Sequence, residues 1–166
     1  MLIHENAYIR FAFESPYLYV TILRNSSPSN EDWAFALKTL LDFYTAAETA
    51  NTRIAVKIDL RQMAMLSMKH WKQLADTLDG VRDRTNKIIY GTCMVNESGV
   101  VRVAINGLLG IYGPVRPIKF FGSHDAGDVW LRELIRTEDL KRGGNQVLPK
   151  AEDPPGMPTT ASAPTC

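Results

Sequence analysis

The period at which apolar residues recur changes several times along the chain, and these changes restrict the folds that it can adopt. Residues 7–13 and 17–23 alternate apolar and polar side chains with a period of two, which is typical of strands. The three residues between them, 14–16, predict a tight connection, so we expect a hairpin. Three more strand-like runs occupy residues 53–60, 87–95 and 117–121.

Apolar residues recur at helical spacing between these strands. A first helix is predicted from the capping pair Ser29 and Asp32 to about Thr49. The other helices are predicted to begin at Ser67, Asn96 and Ser123. After the hairpin, helices and strands alternate, which requires crossover connections and parallel neighbouring strands. The sequence therefore predicts an α/β fold: an N-terminal β-hairpin followed by alternating helices and parallel strands in one mixed sheet.

Composition divides the chain into two regions. Of the 166 residues, 45% are hydrophobic, which suffices for one core. Residues 1–140 contain the predicted strands and helices. Residues 141–166 are rich in Pro, Gly, Ser and Thr and contain almost no large apolar side chain. Because such a segment buries little apolar surface, we expect this tail to be flexible or to be ordered by a partner.

Charge and cysteine content exclude several classes of protein. The net charge is +1 and no block of like charge is long, so no nucleic-acid binding is predicted. The longest apolar stretches are far too short to span a membrane, so no transmembrane segment is predicted. The N-terminus lacks the pattern of a signal peptide, and the cysteines are Cys93 and Cys166 alone. We therefore expect a cytoplasmic protein without disulfides. The three histidines have no metal-ligand spacing, and His70 among lysines is interpreted as part of a solvated helix edge.

The stretch IDLRQMAMLSMKHW, residues 58–71, is the first candidate site. Asp59 ends a predicted strand, and sites in α/β sheets collect where strands end. Ser67 follows at a predicted helix N-terminus, where a phosphate would meet free backbone N–H groups. The alternative is structural: Ser67 caps the helix and Asp59 is a turn carboxylate.

The second candidate is one face of the predicted sheet. If helices cover the face that carries Phe11, Val20 and Ile58, the alternation predicts an amphipathic surface on the other face. Its members are Tyr8, Arg10, Tyr17, Tyr19, Thr21 and Lys57. Tyr and Arg are enriched in protein interfaces, so this face is a candidate docking surface. The alternative is a half-covered sheet whose tyrosines shield the backbone from water.

Three stretches resemble the STAS-like domains of bacterial anti-sigma-factor antagonists. IAVKIDLRQM, residues 54–63, is similar to the family's strand ending in Asp-Leu. Ser67 falls where the family's phosphorylated Ser or Thr sits. IKFFGSHDAGDVWL, residues 118–131, is similar to the closing strand, turn and helix. The resemblance implies a STAS-like fold and, at Ser67, a phosphorylation site.

The phospho-acceptor motif of the family, Asp-Ser/Thr-x-Gly, is not retained. Leu66 precedes Ser67, and Lys69 stands where the glycine would fall. The chain thus resembles a divergent branch of the family that lacks this motif.

No Ser-His-Asp, Cys-His or paired-carboxylate constellation is evident in the spacing, so neither catalysis nor a cofactor or metal is predicted. We expect a protein-interaction or scaffold module whose partners are other protein subunits, with a homo-oligomer as one form. The alternative is a small-ligand or lipid-binding domain, which the similar topology of CRAL-TRIO lipid carriers suggests. A third function is a regulatory antagonist switched by phosphorylation at Ser67.

Overall fold

Six strands form one sheet in the order in which they follow along the chain. The computed structural model describes residues 1–143. The strands are β1 (Leu2–Glu5), β2 (Ile9–Glu14), β3 (Tyr17–Ile22), β4 (Ile54–Asp59), β5 (Ile89–Val95) and β6 (Ile118–Phe121). β1, β2 and β3 pair antiparallel, and β3 through β6 pair parallel. The predicted hairpin followed by parallel strands is confirmed, whereas the exposed edge strand β1 was not predicted.

Five helices connect or follow the parallel strands. They are α1 (Asn30–Thr49), α2 (Met68–Gly80), α3 (Arg82–Ile88), α4 (Gly99–Tyr112) and α5 (His124–Gly143). Each parallel strand is added on the same side of the one before it. Because crossovers of this kind are right-handed, the helices α1 to α4 all lie on one face of the sheet. α5 packs on the opposite face, against β4, β5 and β6.

The helix ends largely follow the predicted capping chemistry. The side chain of Ser29 accepts a hydrogen bond from the Asp32 N–H, and α4 ends at Gly113 in the left-handed region with φ of 59°. The prediction that Asn96 caps α4 is wrong, because Ser98 is the N-cap. Asn96 is buried one turn earlier, where its amide donates to the Leu60 carbonyl and its oxygen accepts from the Ser98 N–H.

Two apolar cores lie on the two faces. The larger one packs β2 to β6 against α1 to α4 and includes Phe11, Leu18, Val56 and Ile105. The smaller one lies under α5 and consists of Ala55, Cys93, Val95 and Leu131. β4 and β5 are buried on both faces, which is why their sequences are apolar almost throughout.

Two predicted boundaries differ from the structure. Residues 87 and 88 belong to the short helix α3, so β5 begins at Ile89 and not at 87. α5 continues through Gly143, three residues into the segment predicted as a tail. The rest of that segment, 144–166, lies outside the described residues, so its flexibility or partner binding stays a prediction.

Candidate functional site

Asp59 lies at the carboxyl end of β4, where it binds two cationic side chains. Its carboxylate is 12% exposed. Both carboxylate oxygens accept hydrogen bonds from Arg61, at 2.7 Å from Nη2 and 3.0 Å from Nε, and the Arg61 backbone N–H donates as well. Nε2 of His124, at the start of α5, lies 3.1 Å from Oδ2. Asp59, Arg61 and His124 form what we call the Asp59 corner.

The electrostatics of this corner favour an ionised carboxylate. Burial by itself would raise the pKa of Asp59, but the hydrogen bonds and positive charge of Arg61, together with His124, outweigh it. The pKa of Asp59 therefore lies below its ordinary value. The charge of the Asp59–Arg61 pair is largely neutralised within the corner.

His124 was not identified from the sequence as a partner of Asp59. The two residues are 65 positions apart, and only the parallel pairing of β4, β5 and β6 brings the carboxyl ends of these strands together. The signal that was available is weak: His124 follows the short turn after the last predicted strand. A histidine in that position faces the same sheet edge as a carboxylate that ends another parallel strand.

Ser67 does not join the Asp59 corner. Its side chain accepts a hydrogen bond from the His70 N–H at 3.2 Å, as the N-cap of α2. Within residues 1–143, the hydrogen-bonding and ion-pair partners of the Asp59 side chain are Arg61 and His124. The sequence thus predicted correctly that Asp59 ends a strand and that Ser67 begins a helix. It grouped the two side chains in one site, whereas Ser67 bonds to the His70 N–H instead. The structural reading of Ser67 as a cap is confirmed, and its phosphorylation stays a prediction.

An aspartate bonded to a histidine is one part of several catalytic sites, but a nucleophile is needed to complete them. In the described part of the chain, no hydroxyl or thiol is hydrogen-bonded to His124. No three histidine, cysteine, aspartate or glutamate side chains in that range are grouped to hold a metal ion. The geometry of the corner supports a structural tie between β4 and the start of α5.

The predicted docking face is present over β1, β2 and β3 but is smaller than expected. Arg10 is exposed, and Tyr17 and Tyr19 are half-buried with their rings stacked 6.0 Å apart. Arg10 pairs with Glu5 of the edge strand at 2.5 Å. We call Arg10, Tyr17 and Tyr19 with the neighbouring Glu5 the open sheet face.

Two residues predicted on that face are buried and do not contribute to it. The placement of Tyr8 there is wrong: Tyr8 precedes β2, and its side chain is 2% exposed within the larger core. Lys57 points to the predicted side, but α5 covers it. Its ammonium binds Asp128 of α5 at 2.6 Å, and its side chain is 8% exposed. The alternation correctly predicted the side of the sheet to which Lys57 points. It could not predict that α5 covers Lys57, because that depends on tertiary packing.

A cavity of about 190 Å³ lies in the larger core between the sheet and the helices. Its walls are almost entirely apolar and come from β2 to β6, α1, α2 and α4. Val115, which is exposed, also borders it, so the cavity extends to the surface beside the loop after α4. We call this space the core cavity. A 150 Å³ apolar cavity is large enough to hold benzene.

Two polar atoms in the lining residues have no hydrogen-bonding partner. The hydroxyl of Tyr8 and Nε1 of Trp33 are both buried without a partner within the described range. Both atoms are fully buried, so neither faces the open space of the cavity, and each costs free energy in the folded state.

His70 packs against Trp33, one of the residues that line the cavity. The interpretation of His70 as part of a solvated helix edge is wrong, because it is buried and its ring packs on Trp33 with centroids 5.2 Å apart. Its pKa is lowered by burial and by the nearby Lys69. The first turn of α2 therefore faces α1 at His70. The neighbouring Lys69 and Lys72 had suggested a solvent-exposed position.

Comparisons with known proteins bear on the fold alone. The structure is similar to that of an uncharacterized protein of the DUF3478 family with a SpoIIAA-like fold from Shewanella loihica. The TM-score is 0.51 and the identity is 18%, over 74% of this chain and 91% of that one. No protein-family model matches the sequence, and no curated protein matches it. None of the helices within residues 1–143 is both long enough and apolar enough to span a lipid bilayer.

Proposed function

We propose that this STAS-like domain is a non-catalytic binding module that holds a small, mostly apolar molecule in the core cavity. The observation that carries the proposal is the cavity itself, a mostly apolar space of about 190 Å³ whose lining residues include the polar Thr85, Thr92 and Arg116. Ligand sites in proteins share this character: apolar walls with a few placed polar groups. The predicted cytoplasmic location is part of the proposal.

There is a physical reason to explain the core cavity by a bound ligand and not by imperfect packing. Protein interiors are close-packed, and an empty cavity costs stability in proportion to its volume. A bound molecule would restore the contacts of the apolar walls and raise the stability of the folded chain. The position of Val115 at the surface provides a route of entry.

The direct test is to fill the cavity from within. Ala36 of α1 is buried and borders the cavity. We expect Ala36→Leu to block binding of an aromatic probe such as ethylbenzene, measured by calorimetry on the full chain. Ala46→Leu places the same substitution at an exposed position of the same helix and should bind the probe normally.

Mass spectrometry of an organic extract of the purified protein is a second measurement. A molecule recovered from the unaltered chain and lost in Ala36→Leu would support the proposal. Equal binding of ethylbenzene by the two leucine variants, or no binding by the unaltered chain, would contradict it.

A second candidate is protein docking on the open sheet face, as part of an assembly or as a scaffold. Its support is the stacked, half-buried pair Tyr17–Tyr19 beside the exposed Arg10, next to the smaller core that α5 covers. Because Arg10 and Glu5 give this face both signs of charge, a second copy of the chain is the partner to test first. The loss of Tyr8 and Lys57 from this face makes it the weaker candidate.

The test of this candidate is the oligomeric state. If the face pairs two copies, Tyr19→Ala should shift the sedimentation of the chain toward the monomer, whereas Gln73→Ala at an exposed position of α2 should not. A chain that is monomeric before any substitution would argue against pairing through this face.

A further inference from the structure

We propose that the occupant of the core cavity is an amphipathic anion: an apolar molecule with one carboxylate, which pairs with Arg116 where the cavity opens to the surface. This inference rests on the proposed function and specifies the head group of the ligand. The apolar part of the molecule fills the core cavity, and the carboxylate stays at the opening beside the exposed Val115.

The most polar side chains of the lining are grouped at one end of the cavity. They are Thr85, Thr92 and Arg116. Nε of Arg116 donates to the carbonyl of Asn86, the neighbour of Thr85, at 2.7 Å. The Thr92 N–H donates to the carbonyl of Pro117, the neighbour of Arg116, at 2.9 Å. Because Arg116 also follows the exposed residue at the opening, the polar end of the cavity is the end that reaches the surface.

The positive charge at this end exceeds the negative charge. Arg116 is the charged residue among the described lining residues, and its Nη1 lies 3.5 Å from the carboxylate of Glu138. The same carboxylate pairs with Arg53 at 3.5 Å and with Lys141 at 3.0 Å. Three cations therefore share one carboxylate, and a second carboxylate would improve the balance of charge.

The titration of Arg53 agrees with this excess. Its pKa lies below the ordinary value, first because of burial and then because of the positive charges of Arg116 and Arg142. The opposing effect of Glu138 is smaller than that of either arginine. Arg142 and Asp139 carry opposite charges, so the excess at Arg116 does not depend on them.

The guanidinium of Arg116 has N–H groups left for a ligand. Nε and Nη2 both donate to the Asn86 carbonyl, and Nη1 faces Glu138. Since a guanidinium carries five N–H groups, these contacts do not use all of them. The side chain is 25% exposed, so a carboxylate can pair with it and keep part of its water. Deeper in the cavity the carboxylate would lose that water without gaining a cation, which is strongly unfavourable.

Three probes with the same apolar part separate the possible head groups: phenylpropanoate, phenylpropanamide and phenylpropylammonium. In calorimetric titrations of the full chain at pH 7 and low salt, we expect the carboxylate to bind about three- to tenfold tighter than the amide, as for a partly exposed ion pair. The ammonium should bind most weakly. In about 1 M NaCl, where the Debye length is about 3 Å, the advantage of the carboxylate should shrink to about twofold or less.

Arg116→Gln tests the partner of the carboxylate. It removes the charge and keeps an amide donor for the Asn86 carbonyl, so we expect phenylpropanoate to lose its advantage while phenylpropanamide binds as before. Arg136→Gln is the matched control, because it removes the same charge from an exposed pair with Glu133 elsewhere on α5. The preference of the unaltered chain and its salt dependence need no substitution, so the test remains decisive even if Arg116→Gln does not fold.

The outcomes distinguish this inference from the proposed function. If ethylbenzene and phenylpropanamide bind and phenylpropanoate binds no tighter than the amide, the carboxylate is overturned while ligand binding stands. Tightest binding of the ammonium would have the same meaning. If none of the probes binds, both are overturned. A preference for phenylpropanoate that Arg116→Gln leaves intact, or that Arg136→Gln removes equally, would overturn the role of Arg116.

Discussion

At the scale of single residues, Asp59 shows how a local motif acquires its partners from the fold. The sequence Asp59–Leu60–Arg61 already places the arginine within reach, and the structure adds His124 from the other end of the chain. Because these groups lower its pKa, Asp59 is ionised in the folded protein at pH values where it is protonated in the unfolded chain. That difference makes the stabilising effect of Asp59 depend on pH.

Replacing Asp59 by asparagine should therefore destabilise the protein at neutral pH but not in acid. The group's folded-state pKa lies below its unfolded value, so its contribution is complete above pH 4–5 (the ordinary value is 3.8) and is lost as the pH falls through the folded-state pKa. Urea unfolding of the unaltered chain and of Asp59→Asn across pH 2–7 measures the difference. A difference that is independent of pH would show that the charge of Asp59 is not responsible. Asp76→Asn, in an exposed ion pair, is the control.

Ser67 is expected to act as a helix cap. Ser67→Ala should lower the free energy of unfolding by about 1 kcal/mol, because the His70 N–H would lose its acceptor. Ser29→Ala at the start of α1 should have a similar effect, and Ser26→Ala in the preceding loop should have little. Equal midpoints for Ser67→Ala and Ser26→Ala would remove capping as the role. Phosphopeptide mapping of Ser67 separately tests the switch that the family resemblance implies.

At the scale of elements, the periodic segments were predictable and their partners were not. The Ser29 and Ser67 caps, the strand alternation and the glycine end of α4 are local signals, so the sequence predicted them correctly. The burial of Tyr8, His70 and Lys57 depends on which helix covers which part of the sheet. Alternation predicts the direction of a side chain, but the element above it is set by topology and packing. The core cavity likewise lies between several elements, so no single segment of the sequence predicts it.

The packing of α5 on the sheet depends on Gly127. A Cβ atom at this position would lie 2.3 Å from the sulfur of Cys93 in β5, which is a clash. Gly127→Ala should lower the free energy of unfolding by about 1–3 kcal/mol, as expected for an overpacked core. Cys93→Ala removes the sulfur, so the double variant should be less destabilised than the sum of the two single variants.

Gly107→Ala in α4 is the matched control for this prediction. A Cβ atom there meets nothing within 4 Å, so the substitution should stabilise the helix by about 0.5–1 kcal/mol. Strict additivity of Gly127→Ala and Cys93→Ala in chemical unfolding would contradict the close contact of α5 with β5.

At the scale of the whole molecule, residues 1–143 form a six-stranded sheet with an apolar core on each face. The end of α5 is tied to the sheet by Glu138, which reaches the buried Arg53, and by Asp139, which accepts a hydrogen bond from Tyr90. These contacts all precede Gly143. Because α5 runs to Gly143, we expect the folded domain to end a few residues beyond the boundary at 140 that composition suggested.

A chain ending at Gly143 should thus keep the thermal transition of the full chain within about 1 °C, while a chain ending at Thr137 should not. The shorter truncation removes the half-buried Glu138, the carboxylate that pairs with Arg53, and the Arg53 side chain is only 5% exposed. Loss of a partner from a buried charge costs at least about 1–3 kcal/mol, which for a domain of this size lowers the melting temperature by several degrees. Arg53 retains the Ile89 carbonyl and the face of Tyr90, so the domain should still fold. Scanning calorimetry of the three chains measures both effects. A large loss of stability on removal of residues 144–166 would mean that these residues form part of the core, and would move the domain boundary to the C-terminus.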